Sequence, residues 1–130
     1  MNDKRVLITG GAGGIGLCLA REFASAGAKL VITDINELAL EKAKGELEAE
    51  GAVVLCRQVD VADRKQVEDL AAWVAEEWGG LDVLVNNAGV GHSGELVETS
   101  IDTWQKLIHV NLFGPLYHVY AFLPGMIRAH

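Results

Sequence analysis

Val6-Leu7-Ile8-Thr9-Gly10-Gly11-Ala12-Gly13-Gly14-Ile15-Gly16 carries an apolar strand through a glycine run into a helix. Such a junction can hold a pyrophosphate with backbone atoms alone. Glycines let the chain turn tightly and bring N–H groups close to phosphate oxygens. The helix that follows adds its unpaired N-terminal N–H groups and the positive end of its dipole. Any tight strand-to-helix turn favours glycine, so residues further along must decide what this one does.

Working outward, strands and helices alternate. Arg5–Thr9 predicts a first strand, and residues 14–26 a helix with Ile15, Cys18, Leu19, Phe23 and Ala26 on one face, stopped by Gly27. Leu30–Thr33 predicts a second strand, closed by Asp34. A helix over residues 36–50 turns Leu40, Ala43 and Leu47 inward, and residues 53–59 form a third strand. Asp63 caps a helix in which Val67, Leu70, Ala71, Val74 and Trp78 recur at helical spacing. Gly79-Gly80 lead into a fourth strand over residues 81–86, followed by a loop with Gly89, Gly91 and Gly94. Ser100 caps one last long helix that runs toward His130. This alternation predicts an α/β fold: a doubly wound parallel sheet with right-handed crossovers and helices on both faces. There is no linker or low-complexity tract, so residues 1–130 read as one domain.

Half of the 130 residues are hydrophobic, enough for a real core. The net charge of −7 and pI near 5.0, without a basic cluster, argue against a nucleic-acid partner. Cys18 and Cys56 read as buried, reduced thiols rather than a disulfide, which with a polar N-terminus predicts a cytoplasmic protein. Residues 110–127 carry no charge, but Asn111, Pro115, His118 and Pro124 interrupt them. They read as a helix buried on several sides, and not as a membrane span. His109 and His118 are read as lying on similar faces of that helix. No Cys or carboxylate joins them at ligand spacing, so no metal site is expected. His92 reads as an exposed residue of the glycine-rich loop.

Three constellations bear on the glycine run. Asp34 lies eighteen positions after Gly16, where a carboxylate accepts both hydroxyls of an adenosine ribose and repels a 2′-phosphate. No Arg or Lys occurs in the glycine loop or directly after Asp34, which favours NAD over NADP. Capping the next helix is the alternative role for Asp34. Asp60-Val61, at the end of the third strand, would meet an adenine lying across the strand ends, or would simply form a turn. Asn86-Asn87-Ala88-Gly89 ends the fourth strand with amides that can pair with backbone and small residues that admit the nicotinamide-side ribose.

Together, Thr9–Gly16, Asp34, Asp60-Val61, Asn86–Gly89 and Asn111 resemble the short-chain dehydrogenase/reductase family, in its compact branch with a single Rossmann domain. The resemblance covers the whole chain, in order. It implies a partial Rossmann sheet of order 3-2-1-4 with NAD across the carboxyl ends of the strands. Gly10, Gly13, Gly14, Ile15 and Gly16 would form the pyrophosphate loop. Asp34 and Ile35 would hold the adenosine ribose, Asp60 and Val61 the adenine, and Asn87, Ala88 and Gly89 the nicotinamide side. The implied reaction moves hydride between nicotinamide and a carbonyl or secondary-alcohol substrate. A homo-oligomer formed through the last long helix is also implied.

Asn111 is the one position with a catalytic counterpart: in the family its main-chain carbonyl holds a water of the proton relay. Pro115 has no N–H, so the Asn111 carbonyl loses its helical partner four residues on. A kink that only fits the helix to its neighbours is the simpler alternative. The family's Tyr-x-x-x-Lys is absent, because Ala121 follows Tyr117 and Pro124 follows Tyr120 at the required distance. The chain therefore reads as the truncated N-terminal half of such an enzyme, lacking the catalytic Ser, Tyr and Lys. It is expected to be inactive alone, or to serve as a non-catalytic dinucleotide-binding module. It is also expected to associate through the bare edge of its fourth strand.

Overall fold

The computed structural model describes residues 1–130. Four parallel strands form one sheet: β1 (Arg5–Thr9), β2 (Lys29–Asp34), β3 (Val53–Gln58) and β4 (Val83–Val85). Their spatial order is β3-β2-β1-β4. Leu7 lies beside Val31 on one edge and Leu84 on the other, so β1 is central. β2 pairs with β3 from Lys29–Val53 to Asp34–Gln58.

Side chains alternate along each strand and divide the core in two. Val6, Ile8, Leu30 and Ile32 meet Ala20 of α1 (Gly14–Ser25) and Leu40, Ala43 and Leu47 of α2 (Glu37–Ala49). Leu7 and Val31 face the opposite way, toward Val67, Leu70 and Val74 of α3 (Arg64–Trp78) and Phe122 of α5 (Gly114–Arg128). Asn36 caps α2 by accepting from Ala39 N–H, and Asp63 caps α3 by accepting from Gln66 N–H.

The expected order and both layers are present, and six local expectations are corrected. α1 buries Gly16 and Ala20, whereas Ile15 is 74% exposed and Cys18 and Ala26 are also exposed. Cys56 is half-buried, so the two free thiols are not the pair of buried groups expected. β4 is three residues long, because Asp82 turns its carboxylate back onto β1. Arg5 Nε lies 2.8 Å and its backbone N 2.9 Å from Asp82 Oδ2, and Arg5 Nη1 donates to Trp78 O. The Arg5 hydrogen bonds hold the Asp82 carboxyl well below the usual carboxylate range.

The last helix is not one run. Ser100 caps α4 (Ile101–Ile108), accepting from Thr103 N–H, and a π turn over His109–Phe113 separates α4 from α5. Gly114 N–H reaches back five residues to His109 O there. Beyond the break only Gly114, His118 and Phe122 are buried, so α5 shows one buried stripe and not burial on several sides. Leu116, Tyr120 and Ile127 are exposed, Tyr120 by 80%. His109 and His118 do not share a surrounding: His109 is exposed, and His118 is fully buried. Nine steps of about 100° amount to half a turn, and the π turn shifts the phase again. No helix is long and apolar enough to cross a membrane.

Candidate dinucleotide site

The carboxyl ends of the strands are tied together by short polar bonds. Thr9, the last residue of β1, accepts at Oγ1 from both Asn87 N–H and Ala88 N–H, each at 3.0 Å. Asn87 returns its side-chain N–H groups to Thr9 O at 3.0 Å and Gly10 O at 3.3 Å. The amide that follows β4 thus fixes the start of the glycine loop. Gly16 passes through the same place: a Cβ there would overlap Gly10 O and lie 2.7 Å from Asn87 Nδ2. Only glycine lets the first turn of α1 sit against that carbonyl.

Gly13 is the N-cap of α1 and offers no side chain to the helix end. The first N–H bonded back along the helix is that of Leu17, to Gly13 O. The N–H groups of Gly14, Ile15 and Gly16 therefore remain available, as helix geometry requires. A Cβ on Gly13 or Gly14 would meet nothing within 4 Å, so the loop tip has open space beside free donors. That combination suits an anion.

Asp34 ties the loop to β2. Its Oδ2 accepts from Ala12 N–H at 3.2 Å and its Oδ1 from Asn36 N–H at 3.1 Å. Each oxygen keeps a further lone pair. Ile35 beside it is 65% exposed. At the end of β3, Asp60 Oδ1 accepts from Ala62 N–H at 2.9 Å, and Gln66 Oε1 accepts from Asp60 N–H at 2.9 Å. This leaves Asp60 Oδ2 as an acceptor and the neighbouring Val61 N–H as a donor, neither bonded within the chain. Gly114 lets α5 approach Val61, since a Cβ there would lie 3.0 Å from Val61 Cγ2.

Asn111 lies within the π turn and its side chain closes on the loop after β4. Asn111 Nδ2 donates to Val90 O at 2.8 Å, and Val90 N–H donates to Asn111 Oδ1 at 2.9 Å. His92 approaches Thr99 Oγ1 at 3.1 Å and Thr99 donates to Glu95 O, so His92 braces the loop.

One cleft of about 490 Å³ brings together Gly10, Asp34, Ile35, Asp60, Val61 and the Asn87–Gly89 segment. Gly13, Gly14, Ile15, Gly16 and Asn111 lie off its wall: the first four form the loop tip, and Asn111 holds Val90, which is on the wall. Lys106, His109 and Val110 complete the lining. Sequence reasoning missed these three as part of the site, and it looked for a cation only in the glycine loop and directly after Asp34. The signal available was their spacing, since positions 106, 109 and 110 share one helix face ahead of the Asn111–Pro115 break.

The geometry thus offers anion-binding N–H groups, a carboxylate at the end of β2, and a donor–acceptor pair at the end of β3. The last two line the cleft and the first flanks it, at the carboxyl ends of the strands where a doubly wound sheet binds nucleotides. A profile of the short chain dehydrogenase family matches residues 4–130, and the chain belongs to that family. It is 40% identical over 129 residues to 2,5-dichloro-2,5-cyclohexadiene-1,4-diol dehydrogenase LinX of Sphingobium indicum, covering 97% of this chain and 50% of that protein. A short-chain dehydrogenase/reductase from Burkholderia phymatum, solved in complex with NAD, superposes with a TM-score of 0.95 at 38% identity, over 98% of this chain and 46% of that one. L-Sorbose reductase from Gluconobacter frateurii, solved with NADPH and L-sorbose, also gives 0.95, at 32% identity, over 99% and 49%. The chain spans about half the length of the curated relatives it matches. Both of these solved relatives hold a nicotinamide dinucleotide.

Proposed function

We propose that residues 1–130 form the NAD-binding half of a short-chain oxidoreductase acting on a small carbonyl or secondary-alcohol substrate. The observation that carries this reading is Asp34, whose two oxygens are fixed by Ala12 and Asn36 N–H groups within the cleft. A fixed carboxylate there accepts ribose hydroxyls through its remaining lone pairs and disfavours a 2′-phosphate by like charge. The residues fit a dinucleotide along its whole length. Gly10, Gly13, Gly14, Ile15 and Gly16 take the pyrophosphate, and Asp34 and Ile35 the adenosine ribose. Asp60 and Val61 take the adenine, while Asn87, Ala88 and Gly89 border the nicotinamide ribose. When bound, nicotinamide supplies or receives the hydride.

The chain's own part is orientation. Asn87 and Thr9 set the loop, and Asn111 sets the position of Val90. Pro115 leaves the Asn111 carbonyl without an α-helical partner, which equips it to hold a water in a proton relay. The proton donor of the family, Tyr-x-x-x-Lys with its Ser, does not occur within residues 1–130. Turnover therefore requires residues outside this segment, and residues 1–130 without them bind the dinucleotide but do not reduce or oxidise substrate. The exposed apolar face of α5, with Leu116 and Tyr120 and with Phe113 just before it, is the surface we assign to homo-oligomer contact, in a cytoplasmic protein with free thiols.

Fluorescence titration with NADH and NADPH tests the reading. Tighter binding of NADH is expected, and no binding of either, or a preference for NADPH, would overturn it.

A further inference from the structure

The imidazole of His109 is held in a defined state at the cleft wall. Its Nδ1 lies 2.9 Å from Gln105 O, and a carbonyl only accepts, so Nδ1 carries the hydrogen. Nε2 of the neutral ring is then an acceptor. Phe113 steadies the ring from the side, with centroids 5.3 Å apart and planes tilted by 31°. The π turn begins at His109, so the position of this side chain depends on the break in the helix.

Within the same cleft, Asp60 Oδ2 is a second acceptor and Val61 N–H a donor. Ile35, Val61 and Val110 make the surroundings apolar, and there an unmatched polar group is costly. A 6-aminopurine presents two amino hydrogens and an acceptor at N1. Two acceptors and one donor on the wall match that pattern. A 6-oxopurine reverses it, placing an oxygen against acceptors and an N1–H against a donor.

We propose that His109 Nε2 accepts one hydrogen of the purine 6-amino group, so that His109 and Asp60 together select adenine over 6-oxopurine dinucleotides. The inference rests on the dinucleotide reading above and adds to it a specificity-determining residue at the start of the π turn. Lys106, on the same wall, is the competing group, because an ammonium there would favour a 6-oxo oxygen.

The test compares NADH with reduced nicotinamide hypoxanthine dinucleotide by fluorescence titration, on the unaltered protein, His109→Phe and His109→Gln. His109→Phe keeps an aromatic ring beside Phe113 and removes the nitrogen; His109→Gln restores an acceptor. The unaltered protein is expected to prefer NADH. In His109→Phe the preference falls by about three- to tenfold, the worth of one hydrogen bond. In His109→Gln it partly returns. An unchanged preference in His109→Phe, an equal loss for both dinucleotides, a loss that His109→Gln does not restore, or an initial preference for hypoxanthine would each overturn the role of His109 and leave the dinucleotide site standing. Failure of the unaltered protein to bind either compound would overturn both.

Discussion

Asn111 pairs with Val90 as one strand residue pairs with another: its side-chain carboxamide gives one hydrogen bond to the Val90 backbone and takes one from it, at 2.8 and 2.9 Å. A side chain on an irregular helical turn thereby supplies the partner that the chain after β4 lacks. Asn111→Ala removes both bonds. The expected cost is about 1 kcal/mol, since the pair is exposed to solvent. Faster amide hydrogen exchange at Val90 should accompany it, and unchanged exchange there would count against the pairing.

Asp34 carries two duties, because its carboxylate anchors Ala12 as well as facing the cleft. Asp34→Ala is expected to lower NADH affinity and to raise the NADPH-to-NADH affinity ratio by about tenfold, the scale of one charged contact. Asp34→Asn keeps an acceptor for one N–H and removes the charge, so it should shift the ratio with a smaller loss in NADH affinity. Titrating both variants with both dinucleotides gives the answer, and an unmoved ratio would remove Asp34 from cofactor choice.

Gly16 and Gly13 separate packing from binding. Gly16→Ala drives a methyl into the Gly10 carbonyl, a backbone atom that cannot step aside. Destabilisation of about 1–3 kcal/mol, the usual range for overpacking, is expected in urea unfolding. Gly13→Ala adds its methyl to open space at φ −170°, where any residue fits. Its stability should match the unaltered protein, while dinucleotide binding weakens because the methyl occupies the phosphate's approach. Equal unfolding midpoints for the two variants would contradict this division.

Two groups contribute to the pH dependence of stability below neutral pH, in different windows. His118 is fully buried, and burial holds its imidazole below the ordinary value, while its bond to Gly114 O acts the other way. The unfolded chain therefore takes up this proton first, and stability falls as pH drops below about 6.5. Asp82 behaves as a lowered carboxyl: its contribution is present above about pH 4 and is lost as pH falls through the folded value. Urea unfolding from pH 7.5 to 2.5 should show both declines. His118→Met should flatten the upper one and Asp82→Asn the lower.

The alternation of strands and helices and the cleft's floor were legible because they follow from local signals, while the order 3-2-1-4 came with the family resemblance. A glycine run after Ile8, a carboxylate after Thr33 and an amide pair after Val85 each end a strand, and parallel strands bring such ends to one edge. The break near Asn111 was half legible, since Pro115 announces a missing N–H without saying whether the helix kinks or widens into a π turn. The far wall was not legible at all. Lys106 and His109 come to the cleft only through the tertiary path of the chain, more than seventy positions from Asp34. Asp82 misled in the other direction. Its place in an apolar run resembles strand, yet its carboxylate is bound by Arg5 and it forms the entry to β4 instead.

The order β3-β2-β1-β4 has a consequence for synthesis. Of these four strands the central one is made first and is the last to gain both its neighbours, because the second neighbour of β1 arrives only with Val83–Val85. Until then Val6, Leu7 and Ile8 hold one open edge through the translation of three helices and two strands. Closing so long a loop is entropically costly and slow. Birth order and sheet order thus oppose each other in this chain, and the interval between them is when its central strand is most in need of a chaperone.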